Sequence, residues 1–124
     1  MILTLGLSET VQFDKDRLGE IIARLGPRGA DEVISRTAEE LAVQLAKVHK
    51  AAKCGRMGDL FSAARKIAEY SSHVGMPSLS TAARNLAGLS DVPDGAALAA
   101  TVARLERVGE MSLMQVWDLQ DLSM

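Results

Sequence analysis

The chain has 124 residues, enough for one domain with a single hydrophobic core. Its formal net charge of -2 argues against a nucleic-acid partner, because phosphate backbones are bound by concentrated basic surfaces. No apolar run approaches the roughly 20 residues that span a bilayer, so no membrane contact is expected. The apolar opening also lacks the basic leader and the cleavage site of a signal peptide.

The chain begins with an apolar stretch and a first predicted helix. The apolar side chains of residues 1–12 have no second strand pattern to pair with, which predicts an N-terminal arm packed on the domain. A short additional helix is predicted after Asp14, which can cap free N–H groups, and Gly26-Pro27 is expected to end it. The side chains expected to be buried on this helix are Leu18, Ile21, Ile22 and Leu25.

Two longer amphipathic helices follow. The second predicted helix covers about residues 30–53, and the third runs from Arg56 or Asp59 to the glycine at Gly75. Helical spacing predicts that the second helix buries Ile34, Ala38, Leu41, Leu45, Val48 and Ala52. The same spacing predicts that the third helix buries Leu60, Ala64, Ile67, Ser71 and Val74.

The last part of the chain predicts two more helices and a tail. Ser78 is expected to cap a short fourth helix, and Asp94 a fifth helix after a turn-rich connection. Their buried stripes are predicted to be Leu79, Ala82, Ala83 and Leu86, and then Leu98, Val102, Leu105 and Val108. Residues 111–124 form an amphipathic C-terminal tail, which either extends the fifth helix or folds separately.

These elements predict an all-α protein with a single domain over residues 1–124. Short connections between long helices favour antiparallel neighbours, so we expect an antiparallel up-down four-helix bundle with the short additional N-terminal helix. The single cysteine, Cys54, cannot form an internal disulfide, which fits a reducing cytoplasm. We expect Cys54 to act as a small apolar filler near a helix end.

The sequence carries no recognisable catalytic or metal-binding pattern. Two histidines and one cysteine are too few for a structural zinc site, and no Glu-x-x-His pair repeats across the helices. Gly26-Pro27-Arg28-Gly29 lacks the Lys-Ser/Thr of a phosphate-binding loop, and Ser71 and Ser72 have no base beside them. We therefore predict no enzyme activity, no catalytic residue, no metal and no cofactor.

Several residues stand at informative fixed spacings. Phe13-Asp14 precedes Leu18, Gly55 and Gly75 bracket the third helix, and Met76-Pro77-Ser78-Leu79 opens the next one. With these spacings the chain resembles, from about residue 13 to residue 108, the histidine-phosphotransfer (HPt) domains of two-component phosphorelay signalling. The resemblance implies an HPt-like bundle that binds a response-regulator receiver domain or a histidine kinase.

The chain departs from that family at the reacting centre. In an ungapped alignment through Gly55 and Gly75, Arg65 stands where HPt domains carry the phosphoacceptor histidine. Ala68 replaces the lysine three positions later, and Glu69 replaces the glycine after it. A guanidinium group stays protonated and has no free lone pair for attack on a phosphoryl group. The resemblance therefore implies a degenerate member that binds its partner without carrying phosphate.

One face of the third helix is the predicted partner-binding surface. At about 100° per residue, this face consists of Phe61, Arg65, Ala68, Glu69 and Ser72. Phe61 would provide an apolar contact, Arg65 would neutralise carboxylates of an acidic receiver pocket, and Arg65 and Glu69 can form an i, i+4 ion pair. The alternative interpretation is an ordinary solvated helix face.

Three further alternatives stay open. His73, near the end of the third helix, could be a relocated phosphoacceptor in an active phosphotransfer protein; otherwise His73 and His49 are expected at the surface. A register that uses Gly58-Asp59 as the family's Gly-Asp places Ala68 at the acceptor position and still offers no histidine. A non-signalling bundle could instead form a homodimer through the N-terminal arm or the C-terminal tail.

Overall fold

The computed structural model describes residues 13–92 and 94–122, with side chains up to residue 120. It contains four α-helices: α1 (Lys15–Cys54), α2 (Met57–His73), α3 (Pro77–Ala87) and α4 (Gly95–Leu122). The described residues contain helices and turns and no strand, which confirms the all-α class. The predicted N-terminal arm, residues 1–12, lies outside the described residues.

Helix α1 replaces the first two predicted helices with one kinked element. Gly26 has φ 76° and ψ 167°, an extended conformation with positive φ that is essentially restricted to glycine, and the helix resumes at Pro27. Proline tolerates this position because its φ is already helical and the first N–H groups of a helix need no intrahelical partner. The predicted break at Gly26-Pro27 is therefore confirmed, and the two predicted helical segments meet there in a kink, with no loop between them.

The first turn of α1 is attached to the connection between α2 and α3. The Asp14 carboxylate accepts a hydrogen bond from the Arg17 N–H at 3.1 Å, which confirms the predicted cap. The Asp14 N–H donates to the Gly75 carbonyl at 2.7 Å, and Arg17 Nε donates to the His73 carbonyl at 2.9 Å. These bonds hold the start of α1 against an element that lies about 60 residues further along the chain.

Only a narrow side of α1 before the kink is covered. Ile21 is buried and Leu18 is half-buried, as predicted, but Ile22 and Leu25 are 46% and 51% exposed. The prediction of a four-residue buried stripe is therefore wrong for Ile22 and Leu25. The apolar pattern identified the residues that favour burial, but the other helices cover one side of this segment only.

The core lies between the remaining part of α1 and the other three helices. The predicted stripes of α2 and α3 are confirmed as buried in full, and the predicted stripes of the later part of α1 and of α4 are buried or half-buried. The fully buried large side chains include Leu41, Leu60, Ile67, Met76, Leu79, Leu86 and Leu105.

Glycine and proline set the connections at both ends of α2. Gly55 and Gly75 both have φ 72°, a left-handed conformation that most L residues avoid. At Gly75 a Cβ atom would also lie 3.0 Å from the Asp14 carbonyl oxygen, so the attachment of α1 depends on this glycine. The predicted Ser78 cap is wrong: α3 begins at Pro77, which has no N–H to satisfy, and no side chain caps it.

Helix α4 runs without interruption into the predicted tail. The Asp94 carboxylate accepts hydrogen bonds from the N–H groups of Ala96 and Ala97, both at 3.1 Å, which confirms the predicted cap. The helix continues past Gly109 to Leu122, so residues 111–122 extend it. Gln120 Nε2 lies 3.2 Å from Asp31 Oδ1, and this hydrogen bond joins the end of α4 to α1.

The four helices form a closed ring. In the described residues, helix α1 packs on α2 and α4, and α3 packs on the same two helices. The backbones of the diagonal pairs, α1 with α3 and α2 with α4, do not come close in this part of the chain, although side chains of α2 and α4 line shared grooves. None of the described helices combines the length and the apolar character that a bilayer crossing needs.

Candidate partner-binding face on helix α2

Helix α2 is anchored by one face and exposed on the other. Its buried residues are Leu60, Ala63, Ala64, Ile67 and Ser71. The Ser71 hydroxyl donates to the Ile67 carbonyl at 2.6 Å, so the one polar side chain of the buried face is satisfied within the helix. Burial on α1 and α3 fixes the rotation of α2, and this rotation decides which side chains reach the outer surface.

The five residues predicted to bind a partner lie together on the outer side of α2. Arg65, Glu69 and Ser72 are exposed, while Phe61 and Ala68 are half-buried and pack against the core. The face thus has polar side chains at its centre and an apolar border.

The apolar border continues beyond α2. Phe61 lines an open groove of about 430 Å³ together with Leu89 and Val92 from the connection after α3 and Leu98 from the start of α4. A partner that contacts Phe61 could therefore place an apolar side chain in the groove beside it.

The centre of the face carries unpaired charges. In the part of the chain that the structure describes, Arg65 and Glu69 form no ion pair, although both are exposed and spaced i, i+4. The predicted pair is therefore absent. The two side chains are therefore available to a partner. Pairing between them would compete only weakly with a partner, because an exposed pair of this spacing contributes only about 0.3–0.5 kcal/mol.

A second arginine borders the face, and the sequence analysis missed it. Arg84 on α3 is exposed, and its Nη1 donates to the Ser80 hydroxyl, which in turn donates to the Ala68 carbonyl at 3.4 Å. Arg84 Nη2 lies 3.4 Å from the Thr81 hydroxyl, which also holds the guanidinium in place. The i, i+4 spacing of Ser80 and Arg84 was the available signal, but the approach of α3 to Ala68 is a tertiary feature.

Both histidines are exposed, and neither lies at the centre of this face. His73 is the last residue of α2, where its backbone carbonyl accepts the Arg17 hydrogen bond. His49 on α1 places Nδ1 2.6 Å from Glu106 Oε2 on α4, a contact that the sequence analysis did not predict. A contact between side chains of two different helices leaves no local sequence signal.

The remaining candidate groups do not assemble into a site. Cys54 is exposed at the end of α1, so the expectation that it fills an apolar space is wrong. Within the described ranges, no three side chains of the His, Cys, Asp or Glu type stand close enough to hold a metal ion.

Comparison with known proteins returned no relative. A scan against protein-family models, a search of curated proteins and a search of solved structures each found no match to this chain.

Proposed function

We propose that the protein is an HPt-like module of two-component signalling that binds a receiver domain or a histidine kinase without carrying phosphate. One observation carries the proposal: Arg65, which the resemblance aligns with the family's phosphoacceptor, is exposed in the middle of α2 with half-buried Phe61 and Ala68 beside it. Binding without transfer would make the protein a scaffold, a competitor or an inhibitor of a phosphorelay.

The arrangement of the helices supports an HPt-like topology. In the described residues each helix packs mainly on two neighbours, and short connections join α1 to α2 and α2 to α3, as in an antiparallel up-down bundle. The part of α1 before the Gly26 kink would correspond to the additional N-terminal helix. We also propose a cytoplasmic location, because an exposed lone thiol such as Cys54 suits a reducing compartment.

The chemistry of the face supports binding over transfer. Arg65 is a poor phosphoacceptor, since an arginine side chain offers no free lone pair for attack on a phosphoryl group. It can, however, form two parallel hydrogen bonds to a carboxylate, and Arg84 adds a second guanidinium at the edge of the same face. A partner surface rich in Asp and Glu would therefore meet two cations and the apolar border at Phe61.

The proposal is tested by binding of purified receiver domains from the same organism to wild type and to Arg65→Ala. We expect one receiver domain to bind wild type and the variant to bind it at least about tenfold more weakly, a loss of about 1.4 kcal/mol. Arg36→Ala is the matched control, because Arg36 is an exposed arginine on α1 away from this face. Equal affinity of wild type and Arg65→Ala would contradict the role of Arg65.

A phosphoryl-transfer assay with the same receiver domains separates binding from catalysis. We expect no label on the protein after incubation with phosphorylated receiver domains. Label that disappears in His73→Ala would instead identify an active phosphotransfer protein, and the proposal would then be wrong.

Self-association is a second candidate function, favoured by the apolar surface between α1 and α4. Ile22 and Leu119 line a groove of about 270 Å³ there, and Trp117 and Met114 are also exposed on α4. Exposed apolar residues in such numbers commonly mark an interface. A homodimer that dissociates in Trp117→Glu, detected by sedimentation equilibrium, would support this function; a monomeric wild type would exclude it.

A further inference from the structure

A separate concentration of positive charge lies where the end of α1 meets the start of α2. Lys47 and Lys50 of α1 and Arg56 and Lys66 beside them line one groove of about 380 Å³. Among the described residues that line it, Asp59 supplies the only carboxylate, so these residues carry a formal charge of +3 although the whole chain carries -2. The charges of the protein are therefore segregated, and the groove is its basic region.

The cations of this groove have no partner among the described residues. In the described ranges no ion pair or hydrogen bond involves the side chains of Lys47, Lys50, Arg56 or Lys66. Four like charges around one depression repel one another, and an anion bound between them would remove that repulsion.

A buried amide in the wall is a second, independent observation. Gln44 lines the same groove, is 2% exposed, and its Oε1 atom has no hydrogen-bond partner in the described structure. Its Nε2 atom donates to Glu40 Oε1 at 3.2 Å, so in the described structure the amide nitrogen has a partner and the amide oxygen has none. A buried acceptor of this kind is stabilised by an incoming donor, and the terminal torsion of glutamine is broad enough to turn the oxygen toward the groove.

We propose that this groove binds a nucleoside polyphosphate. Arg56, just before α2, and Lys66 within it are about 15 Å apart along the helix axis. A single phosphate group is too small to contact both of them. A polyphosphate chain matches the distributed charge, and a ribose hydroxyl supplies the donor that Gln44 lacks. The volume falls in the usual range of small-ligand sites, about 300–1,000 Å³.

The lining also sets the selectivity of the site. The described residues that line the groove include no aromatic side chain on which a base could stack. ATP and GTP should therefore bind with affinities within about twofold of each other, because phosphate and ribose provide the contacts. An extended acidic peptide would meet the same lysines, so it is the competing ligand in the test below.

The proposal is tested by isothermal titration of the full chain with ATP, GTP, inorganic triphosphate and a poly-glutamate peptide at low ionic strength. We expect ATP to bind more tightly than inorganic triphosphate, which lacks the ribose donor. The double variant Lys47→Gln/Lys66→Gln should bind ATP at least about tenfold more weakly. Gln44→Met keeps the length of the side chain and should remove the preference for ATP over triphosphate.

The matched control is Lys15→Gln/Arg28→Gln, which changes the net charge equally at exposed positions near the other end of α1. It should bind ATP as wild type does, and thermal unfolding of all variants checks that each is folded. No binding of ATP to wild type would overturn the proposal, as would equal losses in both double variants. Tighter binding of poly-glutamate than of ATP would overturn it in favour of an acidic protein partner.

Discussion

Gly109 of α4 lies directly against Leu45 of α1. A Cβ atom on Gly109 would stand 2.7 Å from both Leu45 methyl carbons, closer than carbon atoms approach without displacement. Gly109 is buried, and glycine at this point of a helix interior is unfavourable by about 1 kcal/mol relative to alanine. The close packing of α1 and α4 explains why a long helix keeps a residue of poor helix propensity.

This contact predicts a change of sign in a double-mutant cycle. Gly109→Ala should lower the free energy of unfolding by about 1 kcal/mol in wild type, since displacement of Leu45 outweighs the gain in helix propensity. In the Leu45→Ala background the same substitution should raise it by up to about 1 kcal/mol, because the space is then open. Urea unfolding of the four proteins measures both values. Equal effects in the two backgrounds would exclude the contact.

Substitution of Gly75 by alanine should lower the free energy of unfolding more than the same substitution at Gly55. Both have φ 72°, but only at Gly75 would a Cβ atom meet another element, the Asp14 carbonyl oxygen at 3.0 Å. Gly55→Ala should cost about 1–2 kcal/mol from backbone conformation alone, and Gly75→Ala at least about 1 kcal/mol more. Thermal unfolding compares the two variants. Equal losses would show that the first turn of α1 does not press on Gly75.

Because Asp94 caps α4, its removal should lower the free energy of unfolding more than removal of a nearby aspartate that caps nothing. Asp94→Ala should lower the free energy of unfolding by about 1 kcal/mol, because two N–H groups of α4 lose their acceptor. Asp91→Ala is the control: Asp91 is exposed in the preceding turn, and its loss should stay within about 0.5 kcal/mol. Denaturant titration distinguishes a cap from a general effect of negative charge, which would make the two variants equal.

Two buried serines predict opposite consequences of hydroxyl removal. Ser112 Oγ is buried without a hydrogen-bond partner in the described structure, whereas Ser71 Oγ donates to the Ile67 carbonyl. Ser112→Ala should raise the free energy of unfolding by about 1 kcal/mol, since the alanine no longer buries an unsatisfied polar group. Ser71→Ala should be neutral or destabilising by up to about 1 kcal/mol. A lower stability of Ser112→Ala than of Ser71→Ala would contradict this assignment.

The sequence predicted those features of the fold that depend on neighbouring residues in the chain, and it missed those that depend on contacts between helices. Leu60, Ile67 and Leu86 were correctly assigned to the core because helical periodicity is local and their helices are covered along one whole side. Ile22 and Leu25 have the same apolar character, but their burial depends on a neighbour that the pattern does not specify. Gly26-Pro27 was correctly identified as a break, yet only the structure shows that the helix resumes immediately after it.

The candidate sites show the same difference between features set by local sequence and features set by helix packing. The exposure of Arg65 agrees with the periodicity of α2, which assigns its buried stripe to the opposite side. Arg84 and the basic groove could not be predicted, because each depends on residues from two helices. Lys47 and Lys66 are far apart in the sequence, and only the packing of α1 on α2 brings them to one depression.

The hydrogen bonds from Asp14 to Gly75 and from Arg17 to His73 would transmit a pulling force from the start of α1 to the connection between α2 and α3. Tension applied at Phe13 would load the turn between α2 and α3 before it reached the interior. Under a pulling force these two bonds would rupture first, and the start of α1 would peel away while the rest of the ring stayed intact.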